Sequence, residues 1–150
     1  MKGVYVLVIS VSKNVKVNIG KLGAVTFLKG FYAYVGSDQN NLEKRIARHL
    51  RRSKKLFWHI DYFLNSKYTG VAEVFWKETG KAKECETAKK MGGVGQLVPG
   101  FGSSDCSCKS HLVFLEDCEP SVGLPPFLRD SVSTCLTECD NKFACSPVLQ

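Results

Sequence analysis

The 150-residue chain has no apolar run long enough to cross a bilayer, and no small-residue cleavage site follows its apolar opening. A helix that spans a membrane needs about 20 consecutive apolar residues. The opening segment MKGVYVLVIS resembles a secretory signal only in its lysine, because residues 3–11 are rich in valine and other strand-forming residues. These absences predict a first β-strand and a cytoplasmic protein that does not contact a membrane.

Acidic residues are scarce in the first part of the chain. Residues 1–67 contain thirteen Lys or Arg against three Asp or Glu, whereas residues 116–150 contain two against six. The formal net charge of the chain is +7. A concentrated basic region favours a polyanionic partner such as nucleic acid, although a solvated basic surface without a specific partner has the same composition.

Cysteine, in contrast, is abundant. Three of the seven cysteines lie in the main body (Cys85, Cys106 and Cys108), and four lie at its end or beyond it (Cys118, Cys135, Cys139 and Cys145). Without a secretion signal, free thiols or metal ligands are favoured over a disulfide framework, except in a hyperthermophile. The composition changes near residue 118, which predicts a domain over 3–117 and a Cys-rich acidic tail over 118–150. For the tail, zinc binding, disulfides and disorder are alternatives.

Hydrophobic periodicity and turn residues predict an α+β fold, with a small antiparallel sheet flanked by helices and a Cys-rich C-terminal extension. The predicted strands are residues 3–11, 24–35, 70–76 and 111–116, and the predicted helices are 41–53, 57–64 and 82–91. Asp38, Asn40 or Asn41 can cap the first helix, because their side chains accept hydrogen bonds from its free amides.

The first predicted helix concentrates positive charge beside its apolar stripe. Leu42, Ile46 and Leu50 recur at helical spacing and would face the core. Arg45 and His49 fall on an adjacent face, and residues 44–55 contain seven Lys or Arg. A charge run is usually a solvated helix face. The tyrosines that directly precede this helix weaken that interpretation.

The tripeptides GVY at 3–5 and YVG at 34–36 are followed by an Arg-x-x-x-His helix and a spaced glutamate. In this order they resemble the motifs of the GIY-YIG nuclease superfamily. The segments GKLG, RIARHL, FWHIDYFL, ECE and SSDCSCKSHLVF are similar to its Uri-type endonuclease branch, formerly a domain of unknown function. The resemblance covers about residues 3–116. Valine replaces the motif isoleucine twice, and Ser37 stands where several relatives have a lysine near the general base.

The resemblance implies a DNA endonuclease that hydrolyses phosphodiester bonds with one divalent cation, Mg²⁺ or Mn²⁺, in DNA repair or mobile-element processing. It implies the catalytic residues Tyr5, Tyr34, Arg45 and His49, and the metal ligand Glu84, with Glu86 as second choice. The planar fork of Arg45 suits a phosphate. The general base stays open between a tyrosine and His49, because a free tyrosine has a pKa of about 10. The alternative is a nucleic-acid-binding module on the same fold that has lost turnover.

Other residues receive supporting roles. The basic residues Arg48, Arg51, Arg52, Lys54 and Lys55 are candidates for DNA contact, and His59 and Asp61 for contacts that support the site. A structural Zn²⁺ bound by Cys85, Cys106, Cys108 and His111 is weighed against buried thiols and a core histidine, because C-x-C-x-x-H lacks a second well-spaced pair. Because no separate DNA-recognition domain is evident, the alternatives are weak specificity, a homodimer or a repair-protein partner that supplies specificity.

Overall fold

The computed structural model describes residues 1–93, 95–103 and 106–116, together with the backbone of residues 133–136. Its strands are β1 (Gly3–Val11), β2 (Val15–Asn18), β3 (Ala24–Phe27), β4 (Gly30–Asp38), β5 (Thr69–Glu78), β6 (Gln96–Leu97), β7 (Leu112–Glu116) and β8 (Ser133–Leu136). Its helices are α1 (Leu42–Leu50), α2 (His59–Leu64) and α3 (Ala82–Gly92), and a 3-10 turn spans Gly20–Leu22. The predicted α+β class is confirmed.

The main sheet has the strand order β6–β7–β4–β1–β5, and the short β8 pairs with the outer edge of β5. Every pair of neighbouring strands is antiparallel. Strands β2 and β3 form a separate hairpin between β1 and β4. Strand β1 is central, and nearly all of its residues are buried, which explains why its sequence is apolar at successive positions instead of alternating.

The two faces of the sheet carry separate cores. On one face the side chains of Tyr5, Leu7 and Ile9 pack with residues of α1 and α2. On the other face Val4, Val6 and Val8 pack with residues of α3. Successive residues of a strand point to opposite faces, so β1 supplies both cores. Among the described residues, no helix is both long enough and apolar enough to cross a membrane.

The predicted strand over 24–35 is wrong in one respect, because the structure divides it into β3 and β4. The interruption lies at Leu28 and Lys29, where the Lys29 amide donates a hydrogen bond to the Asn14 side chain, 2.8 Å away. Gly30 follows with a φ of 142°, a conformation that residues with a side chain rarely adopt. Strand β4 then continues three residues beyond the predicted end.

Helix α1 is shorter than predicted and ends at Leu50. The Lys54 ammonium donates to the carbonyls of Arg48, His49 and Arg51, at 3.1, 3.1 and 2.8 Å. These carbonyls lack helical partners at a helix C-terminus, so the lysine takes the place of a further turn. The predicted stripe faces the core, with Leu42 and Ile46 buried and Leu50 partly buried against the same cluster, and His49 is buried beside it.

Helix α2 begins two residues later than predicted because Asp61 accepts hydrogen bonds from the amides of Phe57 and Trp58, at 2.9 and 2.8 Å. Those bonds hold the two residues ahead of the first turn. Strands β2, β6 and β8 were not predicted. Strand β8 lies in the predicted tail, whose other residues, with Cys118, Cys139 and Cys145, lie outside the described part of the chain, and the side chain of Cys135 is not described.

Candidate active site

Strands β1 and β4 bring the two motif tyrosines to one end of the sheet. Tyr5 lies opposite Gly36, and Tyr34 lies opposite Leu7, so both phenol rings lie on the α1 face. Their ring centroids are 6.5 Å apart. Both line a cleft of about 810 Å³, a volume in the range of ligand sites. The end of the sheet therefore presents two phenols to one cavity.

The glycine of the second motif makes this arrangement sterically feasible. A Cβ atom built on Gly36 would overlap the hydroxyl and ring of Tyr5. Because glycine has no side chain, the Tyr5 ring can cross the neighbouring strand at this point and extend toward helix α1. Gly36 thus determines the direction of the Tyr5 phenol.

The Tyr5 hydroxyl lies 2.5 Å from Nε2 of His49. Burial raises the pKa of Tyr5 well above its usual range, and the neighbouring Tyr34 raises it further. The phenol therefore keeps its proton and donates to the imidazole. Nδ1 of His49 is shielded from solvent and has no hydrogen-bond partner among the described residues, an uncommon arrangement for a buried polar atom.

His49 is held in its neutral form. Burial lowers its pKa to about 3, and the positive charges of Lys54 and Arg45 lower it further, against a smaller opposing effect of Asp61. A neutral imidazole whose Nε2 accepts a hydrogen bond can also accept a proton. The Tyr5–His49 pair is therefore a phenol and a base in direct contact, both uncharged.

Arg45 is positioned by three contacts at the rim of the cleft. Its guanidinium lies 2.9 Å from a carboxylate oxygen of Asp38 and donates to the Ser37 carbonyl at 3.3 Å. The group also stacks over the Trp58 ring, 4.2 Å from the centroid. The Arg45 side chain in turn hydrogen-bonds the Tyr5 hydroxyl. A guanidinium has five N–H donors, so these hydrogen bonds still leave donors for a phosphate.

Glu84 reaches the same cleft from the other side of the sheet. Helix α3 packs on the face opposite the tyrosines, but Glu84 lies in its first turn, and its side chain lines the cleft beside the end of β4. The Ser37 hydroxyl donates to Oε1 of Glu84, and Nδ1 of His111 lies 3.0 Å from Oε2. Burial raises the pKa of Glu84, but hydrogen bonds from His111 and Ser37 outweigh it and hold the pKa below its usual range.

His111 is the buried partner of this carboxylate. Its Nδ1 also lies 3.1 Å from the Val35 carbonyl, and its Nε2 lies 3.3 Å from Sγ of Cys106. Burial lowers the pKa of His111, but the hydrogen bond and the charge of Glu84 raise it to about 9. Sequence reasoning considered His111 as a zinc ligand or a core histidine, and its contact with Glu84 was not predicted.

Glu86, the second choice for the metal ligand, lies outside the cleft. Its carboxylate is exposed and pairs with Lys83 and Lys90, at 3.1 and 3.5 Å. Pairs spaced three or four residues apart are common on solvated helix faces. The geometry favours Glu84 over Glu86.

The buried Asp61 supports the cleft without lining it. Arg48 binds Asp61 through two parallel hydrogen bonds of 2.8 and 2.9 Å and stacks on Trp58, 4.3 Å from the ring centroid. Trp58 therefore contacts the guanidinium groups of both Arg45 and Arg48. Asp61 has no exposed surface, and a buried carboxylate needs such a partner to remain charged.

The five cations predicted to contact DNA divide into two groups. Arg48, Arg52 and Lys54 have partners within the fold, and Arg52 donates to the carbonyls of Leu64, Ser66 and Thr69. Arg51 and Lys55 are exposed. Positive charge that already satisfies internal acceptors has fewer donors for phosphate, so the geometry favours DNA contact by Arg51 and Lys55.

His59 lies at the cleft and accepts a hydrogen bond from the Gly102 amide through Nδ1 at 2.9 Å. It therefore holds the loop before β7 against α2. Sequence reasoning missed the roles of Asp38 and Trp58 in positioning Arg45. The position of Asp38 at the end of a strand was the only available signal, and it indicated a helix cap.

Three cysteines and one histidine form a cluster next to Glu84. The ligand atoms of Cys85, Cys106, Cys108 and His111 all lie within 4.8 Å of one another. The three thiols are free and partly exposed, and His111 is buried. This cluster could bind a metal ion.

The fold and this site define an antiparallel α+β domain whose sheet end holds two tyrosines, an arginine, a histidine and a glutamate around one cleft. Residues 4–124 match the family model described as domain of unknown function DUF123. The match covers most of the chain, which therefore belongs to this family. No curated protein and no solved structure matches the chain.

Proposed function

We propose that this protein is a divalent-metal-dependent DNA endonuclease of the GIY-YIG type, on its Uri-type branch. The observation that carries the proposal is the convergence of five residues on one cleft: Tyr5, Tyr34, Arg45, His49 and Glu84. They come from strands β1 and β4 and from helices α1 and α3, in the order of the nuclease motifs.

Hydrolysis of a phosphodiester requires a base for the attacking water, and Tyr5 with His49 provides one. The Tyr5 oxygen takes the proton of the water while its own proton passes to Nε2 of His49, 2.5 Å away. His49 resists this proton in the resting protein chiefly because it is buried, and nearby cations lower its pKa further. A bound phosphodiester adds negative charge beside Arg45 and offsets those cations, so substrate binding favours the transfer.

Arg45 is the candidate for stabilising the charge that develops on the phosphate. Asp38 and Trp58 fix its guanidinium before the substrate arrives. A donor that is oriented in advance stabilises a transition state without further reorganisation. Tyr34, whose side chain is largely buried at the same cleft, is placed to contact the same phosphate or the water.

Glu84 would hold the Mg²⁺ or Mn²⁺ ion. Its two oxygens offer about four lone-pair sites, and Ser37 and His111 use two of them. Mg²⁺ binds proteins through one or two carboxylates and keeps several water ligands, so a single ionised glutamate at an open cleft fits. The ion supplies a Lewis acid for the phosphate and the leaving oxygen.

The activity can be tested by the nicking of supercoiled plasmid in Mg²⁺ or Mn²⁺, with an EDTA control and with structured DNA substrates alongside. Arg45→Ala and Tyr34→Phe should lose nicking. Lys44→Ala, which removes the same charge from an exposed neighbouring position that does not line the cleft, should retain it. Residual cutting that is equal in all four proteins would assign the activity to a contaminant and refute the proposal.

A nucleic-acid-binding module without turnover is the second candidate, and a specific observation favours it. Ser37 stands where several relatives have a lysine, and burial raises the pKa of Tyr5 well above its usual range. Both features lower the fraction of Tyr5 that is ionised and could act as a general base. The discriminating result is DNA affinity without nicking on any substrate or metal.

In either case DNA binding would draw on exposed basic residues, such as Arg51 and Lys55 just after α1, and the salt dependence of DNA affinity measures their contribution. Removing Arg51 and Lys55 together by substitution with Gln should reduce the slope of log affinity against log salt by about two. The charge-matched control changes two other exposed lysines, Lys16 and Lys89, to Gln. If both double variants reduce the slope equally, Arg51 and Lys55 have no specific part in binding DNA.

A further inference from the structure

The cysteine and histidine cluster brings together three separate parts of the chain. Cys85 lies on α3, Cys106 and Cys108 lie in the loop between β6 and β7, and His111 directly precedes β7. Their ligand atoms lie within 4.8 Å of one another. Zinc–sulfur bonds of about 2.3 Å in a tetrahedron place ligand atoms about 3.8 Å apart. A contraction of about 1 Å or less would therefore complete a four-coordinate site.

The orientation of His111 favours this site. Its Nε2 points toward the thiol of Cys106, 3.3 Å away, and its Nδ1 points toward the Glu84 carboxylate, 3.0 Å away. A histidine that binds a metal through one nitrogen usually donates its other N–H to a carboxylate or a carbonyl, which fixes the ring. His111 has both kinds of acceptor, because the Val35 carbonyl lies 3.1 Å from the same nitrogen.

The donor set indicates which metal the cluster would select. Three thiols and one imidazole are soft or intermediate ligands, which bind Zn²⁺ in tetrahedral geometry and bind Mg²⁺ poorly. An iron–sulfur cluster is usually held by four thiolates. The cluster is thus chemically distinct from the carboxylate at Glu84, which suits Mg²⁺.

We propose that Cys85, Cys106, Cys108 and His111 bind one Zn²⁺ ion, and that this ion positions Glu84 through His111. The ion would tie helix α3 to the loop before β7 on the side of the sheet opposite the tyrosines. Because His111 is then fixed at Nε2, its Nδ1–H holds one oxygen of Glu84 and leaves the other side of the carboxylate toward the cleft. Zinc binding does not depend on the proposed nuclease activity, whereas the role assigned to Glu84 rests on it.

Metal analysis of the full chain tests the zinc site directly. Protein purified under reducing conditions should contain one zinc per chain, and the double substitution Cys106→Ser and Cys108→Ser should remove it. The matched control replaces the four tail cysteines, Cys118, Cys135, Cys139 and Cys145, by serine and should retain the ion. Zinc that persists in the first variant and is lost from the second would overturn the proposal, as would iron or copper in its place.

A second measurement avoids the risk that the double variant fails to fold. In the unmodified chain, Zn²⁺ should protect Cys85, Cys106 and Cys108 from alkylation, and a chelator should expose all three together, as peptide mass spectrometry would report. Replacement by Co²⁺ should give the thiolate-to-cobalt absorption of a tetrahedral site. Equal labelling of the three thiols with and without the chelator would refute a shared metal.

The coupling to Glu84 has its own readout, which does not use DNA cleavage. Glu84→Gln should weaken Zn²⁺ affinity about 10- to 100-fold, because it replaces the carboxylate that orients His111. Glu86→Gln, which changes an exposed carboxylate two residues away, should leave the affinity unchanged. Equal affinity in both variants would separate the zinc site from the cleft and overturn the coupling.

Discussion

The two histidines nearest the end of the sheet are both almost fully buried, at 3% and 2% exposure, yet their pKa values shift in opposite directions. His49 on the α1 face has a pKa lowered to about 3 by burial and by nearby cations. His111 on the α3 face has a pKa raised to about 9, because the contact with Glu84 outweighs its burial. Burial alone therefore does not determine the state of a histidine; the charge of its partner does.

This difference divides the cleft into two kinds of chemistry. The α1 face holds neutral groups in direct contact, the Tyr5 phenol and the His49 imidazole, which can exchange a proton. The α3 face holds an ionised carboxylate, Glu84, fixed by two donors. One face is suited to proton transfer and the other to binding a cation, although the two are not independent, because the charge of Glu84 also raises the pKa of Tyr5.

Removing the charge of Glu84 on the α3 face should have the largest effect on DNA cleavage. Glu84→Gln retains the size of the side chain but removes the charge that would hold the divalent ion, so we expect DNA cleavage to fall by at least about 10³-fold. The measurement is single-turnover cleavage across a range of Mg²⁺ concentrations. Glu86→Gln should cleave like the unmodified protein, and a Glu84→Gln variant with equal activity would exclude this carboxylate as the metal ligand.

Removing the phenol on the α1 face should have the next largest effect. Tyr5→Phe deletes the hydroxyl that contacts His49, and we expect cleavage to fall by about 10²-fold or more, the usual contribution of a general base. Tyr32→Phe is the matched control. It removes a phenol from the same face of β4 whose hydroxyl donates only to the Leu28 carbonyl, at 2.8 Å. If the two variants lose equal activity, the phenol of Tyr5 has no special role.

The sequence predicted most of the sheet because its apolar runs are encoded locally, whereas the cleft residues were named from a resemblance to the GIY-YIG motifs. The apolar run of β1, the tyrosine motifs and the Arg-x-x-x-His spacing are each visible within a few residues. The order of the motifs then indicated which segments meet. Cleft residues that lie within one strand or one helical turn could therefore be named from the sequence motifs.

What the sequence did not reveal are contacts between distant segments. The partners of Glu84 are Ser37 and His111, 47 and 27 positions away, and nothing near any of the three residues indicates the others. The ion pair of Arg48 with Asp61 was not predicted for the same reason, because Asp61 lies on another helix. A basic run has the same composition whether its charges face water or bind a buried carboxylate.

A smaller effect should follow from Gly36→Ala, which tests how the α1 face is assembled. A Cβ at this position would overlap the Tyr5 phenol, so we expect a loss of about 1–3 kcal/mol in the free energy of unfolding, as for other overpacked sites. Gly70→Ala, in strand β5 with open space at the Cβ position, should change stability less. Chemical denaturation compares the two, and equal losses would mean that Gly36 has no steric role.

The smallest expected effect is on the pH dependence of the free energy of unfolding, to which His49 contributes. Its folded pKa of about 3 lies below the unfolded value of about 6.5, so the unfolded chain binds the proton first as pH falls. The contribution of His49 to stability is therefore complete above pH about 6.5 and declines below it, by about 2 kcal/mol at pH about 5.

The variant His49→Gln cannot take up this proton, so its unfolding free energy should decline less than that of the unmodified protein between pH about 6.5 and about 5. Few carboxylates titrate in this window, and the other histidines contribute equally to both proteins. Urea denaturation at several pH values, referenced to pH about 8, measures the difference. Parallel curves would show that His49 is not held neutral, and the proton-transfer role assigned to the α1 face would lose its basis.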